Sequence, residues 1–254
     1  MTRTSATRAA EIAARIATTI DDIFATVDRW RVTLERALDD GMPLAAASVD
    51  PLVESFAVPA VAGGTLVTGA GFVATPGVLS DAHWHLAWWL GGSPGLRRLA
   101  TIDDPHHDQF RDYTTLEWWR VPTSTGNLHV TGPYVDYLCT DDYAVTITVP
   151  VRHASSQVGL VGADALVDRL EREILPVLRT AEGPASVVNA SARVVTSTDA
   201  RREPGSLMRE PGILDAVREA VAVAAKPGTR PPVQTGAVRV LACGDTSLAL
   251  VLGA

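Results

Sequence analysis

GPYVDYLCTDDYAVTITVPV, residues 132–151, changes grammar halfway through. In the second half, Tyr143, Val145, Ile147 and Val149 alternate with Ala144, Thr146 and Thr148. A period of two predicts a half-buried β-strand. The first half opens on a Gly132-Pro133 turn and then places Tyr134, Asp136, Tyr137, Asp141, Asp142 and Tyr143 within ten residues. Asp141 and Asp142 read as an exposed turn. Asp136 sits between two tyrosines whose rings should be partly buried, so a role in a pocket rim explains it better than surface decoration does.

The surrounding sequence repeats this chemistry. All four tyrosines lie between residues 113 and 143, and five of the six tryptophans between 84 and 119. Asp103, Asp104, Asp108, Asp112, Glu117 and Asp136 share that window. Aromatic faces attract cations and carboxylates neutralise them, so rings and acids on loops flanking one sheet suit a closed pocket for a small polar or cationic ligand.

Periodicity supplies the scaffold. In residues 4–39, Ile16, Ile20, Ile23, Val27, Trp30 and Leu34 hold an a/d spacing, which predicts a long helix stopped at Asp39-Asp40-Gly41. Its stripe fits either its own domain or a dimer partner met through Ile16, Ile23 and Trp30. A second helix is expected to start at Asp50-Pro51 and to kink at Pro59. Strands are expected at 71–74, 82–90, 96–101, 128–130, 143–151 and 158–163, with a loop and helix between the third and fourth. LVDRLEREILPVLR then forms an amphipathic helix, with Asp164 placed to cap it. Beyond a boundary near residue 183 come strands at 185–190 and 193–198, a helix at 209–225, and strands at 233–242 and 246–252. The class is α+β. The expected units are the long helix (1–45), a ligand-binding module (46–182) and a smaller α+β module (183–254).

Composition narrows the function. The net charge of −7 argues against nucleic acid, which is met by a basic face. No apolar run is long enough for a membrane span, and the amphipathic N-terminus lacks the features of a signal peptide, so a cytoplasmic protein is expected. Cys139 and Cys243 have no metal-ligand spacing and nothing in the sequence pairs them.

The run from the long helix to about residue 180 resembles the Cache sensor domains, extended PAS-like ligand binders of bacteria. LEWWRVP, GPYVD, YAVTITVPV and GLVGAD carry the resemblance. It is to the double Cache type that binds amino acids and amines. The resemblance implies a PAS-like antiparallel sheet fed by the helix and a second, smaller module of the same kind. It implies Trp118 and Trp119 as aromatic walls, Tyr134, Asp136 and Asp164 on the ligand's ammonium, and Tyr113 as an upstream tyrosine. The arginine that grips an α-carboxylate in the family stands two residues before the tryptophan; here that position is Leu116, and Arg120 follows the aromatic pair instead. Two aspartates and several rings make a cation site and offer nothing to an anion. A cationic amine is therefore the first expectation, and an amino acid held through Arg120 the second.

The expected function is a non-catalytic sensor that binds a small molecule, with no cofactor, acting through a separate output protein and as a homodimer through the first helix. The alternative is a metal-dependent enzyme, because HWH would put His83 and His85 on one face of a strand, with His106, His107, His129 and Glu117 as further ligands. No carboxylate follows HWH as a cupin motif requires, and no nucleophile elbow, phosphate loop or HExxH is present.

Overall fold

The computed structural model describes residues 3–92, 95–137, 142–222 and 232–253. Helix α1 spans Arg3–Asp39 and buries Ile12, Ile16, Ile20, Ile23, Val27, Trp30, Leu34 and Leu38 in one stripe. Their spacing of three and four keeps them on one side of a helix, and that side packs within the chain. Trp30 stacks on Phe56 of α2 (Ala46–Ala62), ring centroids 5.1 Å apart. The dimer seam expected through Ile16, Ile23 and Trp30 is thus corrected: those side chains already lie in the core.

Helix α2 also departs from expectation. It starts at Ala46, four residues before the expected Asp50, and takes both Pro51 and Pro59 into its length. Its first amides are met from a distance, since the Asp81 carboxylate accepts from Ala46 N (2.6 Å) and Ala47 N (3.1 Å). A cap thirty-five residues away leaves no local signature.

The chain then runs through β1 (Val67–Ala74), β2 (Leu86–Leu90), β3 (Arg97–Arg98), a short 3-10 turn (Tyr113–Thr115), α3 (Glu117–Thr125), β4 (His129–Val135), β5 (Tyr143–His153) and β6 (Ser156–Leu166). The six strands form one antiparallel sheet in the order β3-β2-β1-β6-β5-β4. Strands β5 and β6 pair along a hairpin whose turn residues, Ala154 and Ser155, have φ of 49° and 68°. Helices α1 and α2 cover one face of the sheet. The segment that includes Tyr113 and α3 covers the other.

This double cover corrects the reading of residues 143–151 as half-buried. Residues 144–151 are all buried. The alternation separates Val145, Ile147 and Val149, which face the helices, from Thr146 and Thr148, which face the other layer. Residues 132–135 belong to β4 instead of a free turn. At Gly132, φ is +103°, and a Cβ would stand 2.6 Å from the Ala144 carbonyl oxygen, so only glycine fits there.

Helix α4 (Val167–Leu178) buries Leu170, Ile174 and Leu178 and leads to the second sheet. That sheet comprises β7 (Ala185–Asn189), β8 (Val194–Ser197), β9 (Val233–Thr235), β10 (Val238–Ala242) and β11 (Leu248–Leu252), ordered β8-β7-β11-β10-β9. Helix α5 (Ile213–Val221) packs on it through Ile213, Ala216, Val217 and Ala220. Helix α1 touches both sheets. A second link is the Asn189 side chain, whose Nδ2 donates to the Gly132 carbonyl at 2.6 Å. Arg8, near the start of α1, and Leu252 and Gly253, at the end of β11, line one cleft.

Cys243 is a free, buried thiol, and Cys139 lies outside the described residues. Among the described residues no helix is long and apolar enough to cross a membrane.

Candidate functional site

The register of the first sheet places its chemistry. On β6, Asp164 pairs with Gly69 of β1 on one side and with Thr146 of β5 on the other. Its side chain leaves the sheet on the face opposite α1 and enters a small cavity, together with Val73, Leu86 and Trp88 from β1 and β2. Trp118 of α3, Tyr134 of β4 and Asp136 close the cavity from above. Its volume is about 20 Å³. A water needs roughly 10–15 Å³ on the same measure, so the space holds one water-sized group.

Both acids are deeply placed: Asp136 is 3% exposed and Asp164 4%. The Asp164 carboxylate accepts from Trp88 Nε1–H at 3.1 Å on one oxygen and from Thr146 Oγ1–H at 2.6 Å on the other. When Asp164 is ionised, Thr146 spends its only proton on it, and the 2.7 Å bond to the Tyr134 hydroxyl then runs from Tyr134 to Thr146. Burial, and then the nearby Asp136 charge, push the Asp164 carboxyl up to about 7 against the pull of its two hydrogen bonds.

A glycine makes this arrangement possible. A Cβ at Gly69 would overlap the Asp164 carboxylate and lie 2.9 Å from Trp88 Nε1. The bare backbone of β1 is what lets the indole and the carboxylate meet.

Of the seven residues expected at the site, four line the cavity: Trp118, Tyr134, Asp136 and Asp164. Tyr113 and Trp119 are buried behind it. The Tyr113 hydroxyl donates to the Ala74 carbonyl at 2.7 Å, and its ring lies 6.3 Å from that of Trp118 and 5.2 Å from that of Trp119. Burial drives the Tyr113 phenol up to about 12, so it stays a neutral donor. Arg120 is exposed on α3 and lies outside the lining, so its expected place on a ligand carboxylate is corrected. Asp164 does not cap α4 either. It lies two residues inside β6, and Leu166 precedes the helix without a side-chain cap.

Trp88 and Thr146 are the partners that the sequence reading missed. Trp88 read as core, and it is buried; its indole N–H still needs an acceptor there, and that need was the available signal. Thr146 showed itself only as the polar side of an alternating strand.

The rival metal site dissolves at its backbone. Strand β2 begins at Leu86, so His83 and His85 precede it and share no strand face. His85 Nε2 bonds Asp50 Oδ1 at 2.7 Å, and Arg98 bonds the other oxygen of Asp50. His129 is taken by Glu117 at 3.1 Å. Among the described residues no three His, Cys, Asp or Glu side chains gather as a metal ion requires.

Comparison with known proteins adds three findings. Residues 100–172 match the family model of the first PDC sensor domain of methyl-accepting chemotaxis protein-like sequences. No curated protein sequence matches the chain. Among solved structures, a methyl-accepting chemotaxis protein X superposes with a TM-score of 0.65 at 14% identity, over 98% of this chain and 95% of that one. The ligand-binding domain of the Pseudomonas aeruginosa PAO1 amino acid chemoreceptor PctC, in complex with GABA, gives 0.55 at 16% over 95% and 94%. That of the Campylobacter jejuni chemoreceptor Tlp3, in complex with 4-methylisoleucine, gives 0.57 at 12% over 98% and 89%. The chain therefore has the double-module PDC (Cache-type) sensor fold of chemoreceptor ligand-binding domains, with residues 100–172 matching the first PDC module.

Proposed function

We propose that this chain is a non-catalytic sensor module that binds a small primary amine or amino acid by its ammonium group. One observation carries the reading: two buried carboxylates, Asp136 and Asp164, open on one cavity, and none of the described residues lining it is basic. Burying like charges together is costly, and a cation between them removes that cost. An ammonium has the size of a water, which fits the cavity's roughly one-water volume, whereas a trimethylammonium group is too large for it. Trp118 supplies a ring beside the charge, and Tyr134 brings its phenol to the same lining. The structural relatives, solved with GABA and with 4-methylisoleucine, support the ligand class.

Thermal melting with a panel of primary amines, amino acids, quaternary amines and dicarboxylates tests this. A ligand at a hundred times its Kd stabilises the fold by about 2.7 kcal/mol, roughly 5–10 °C in Tm for a chain of this length. Primary amines should raise Tm in the native protein and not in folded Asp136→Asn or Asp164→Asn. Stabilisation by dicarboxylates alone, untouched by those substitutions, would overturn the proposal.

Signal output through a separate protein and residence in the cytoplasm belong to the same proposal. Crosslinked pull-downs with and without amine, and cell fractionation, check them.

A further inference from the structure

Beside the ammonium-sized cavity lies a much larger cleft of about 260 Å³. The two share Leu86, and Tyr137, at the mouth of the cleft, directly follows Asp136 in the chain. Trp84, Phe110 and Tyr113 form its aromatic wall, with Trp84 set edge-on to Phe110 at 5.0 Å and to Tyr113 at 5.3 Å. Among the described residues lining the cleft, Arg111 carries the only formal charge. Its Nη1 donates to the backbone carbonyls of Asp108 (3.2 Å) and Phe110 (3.0 Å). Those bonds steady the guanidinium and leave its other N–H groups for a ligand.

The contrast between the two compartments sets where an anion can sit. A carboxylate on the carbon that bears the ammonium would be held against Val73, Leu86 and Trp118, beside two aspartates, with no base among the described lining residues. Repulsion and desolvation both oppose it there. A carboxylate carried farther along the chain would leave past Leu86 into the cleft and meet the fork of Arg111, the side chain built for bidentate carboxylate contact.

We infer that the ligand is a zwitterion with separated charges, an ω-amino acid or a similarly spaced amino-carboxylate, whose anion is read by Arg111. This inference rests on the ammonium site proposed above. It assigns the anion end of the ligand to an arginine seven residues before Trp118, on the loop that precedes α3.

Calorimetric titration of straight-chain amino-carboxylates, with one to five carbons between the charges, separates the two ideas when run beside n-alkylamines of equal length. Affinity should peak at an intermediate spacing and exceed that of the matched alkylamine by about tenfold or more. Arg111→Gln should erase that advantage and leave alkylamine binding unchanged, and Arg111→Lys should restore part of it. Arg111 is exposed, so these variants should fold, and equal melting temperatures without ligand verify that. If alkylamines bind as well as the amino-carboxylates, or if the advantage survives Arg111→Gln, the inference fails while the ammonium site stands. A preference for the one-carbon spacing also overturns it. If no amine of either series binds, the ammonium site itself is wrong and this inference falls with it.

Discussion

On the proposed reading, Asp164 sets a proton against a cation. Its carboxyl is raised to about 7 by burial and by Asp136, so the unliganded site holds a proton through mildly acidic conditions. A ligand ammonium must displace that proton. Amine affinity should therefore increase with pH, by about tenfold per unit below 7, and level off above it. Titrations at pH 5, 6, 7 and 8 in two buffers of different ionisation heat check both the slope and the proton release. The same shift acts on the empty protein with a definite sign. A carboxyl raised above its ordinary 3.8 favours the folded state most below that value, and the benefit is lost as pH climbs toward 7. Asp164→Asn should remove this decline and stabilise the empty protein at pH 8 by at most about 4 kcal/mol, while abolishing amine binding. Gly69→Ala tests the geometry from the other strand. Its methyl would push Asp164 away from Trp88, at a cost of about 1–3 kcal/mol, and it should weaken amine binding although Gly69 touches no ligand. That Trp118, Tyr134, Asp136 and Asp164 come together around one cavity was legible in the sequence, because rings and acids are clustered there. The indole and threonine partners were not, because which strand pairs with which, and in what register, is decided by the whole sheet.

Among the elements, α1 shows how a correct local reading can support two tertiary ones. The spacing of Ile16, Ile20, Ile23, Val27, Trp30 and Leu34 gives the helix and its apolar face unambiguously. It does not say what covers that face, since a sheet of the same chain and a second copy bury the same side chains. Here the cover is the chain's own sheets. Ile20→Ala should thus cost about 2–5 kcal/mol in urea melts, with no change in oligomeric state by light scattering. Dissociation of a dimer with little loss of stability would restore the intermolecular reading. The strands were legible wherever β-branched residues alternate. The start of α2 was not, because the group that meets its first amides, Asp81, comes from the far side of β1. The histidines of HWH were misplaced for a related reason: strand pairing begins only at Leu86, and Asp50 claims His85.

At the scale of the molecule, two helices, α1 and α4, touch both sheets, and a buried hydrogen bond links the sheets directly. Asn189 donates to the carbonyl of Gly132, two residues before the Tyr134 that lines the cavity of Asp136 and Asp164. Asn189→Ala would leave that carbonyl without its partner, at about 1–3 kcal/mol. Hydrogen exchange in β4 and β7 should rise together in the variant, and a rise in only one of them would show that the bond does not join the two modules. The α+β class and the order of the elements could be read from the sequence, but a side-chain bond spanning 57 positions could not. The cleft shared by Arg8 and Gly253 has a topological consequence. Because the first helix at Arg8 and the residues just after β11 border the same cleft, the described fold returns close to where it sets out, and a bridge between those two points would nearly close it. A short flexible linker across the ends, with new termini opened between Ala154 and Ser155, would give a circular permutant with the same strand order. Those two residues carry positive φ without being glycine, so the cut also relieves an unfavourable backbone turn. The permutant should fold and bind amines like the native protein; failure to fold would mean that the β5–β6 turn directs the assembly of the sheet.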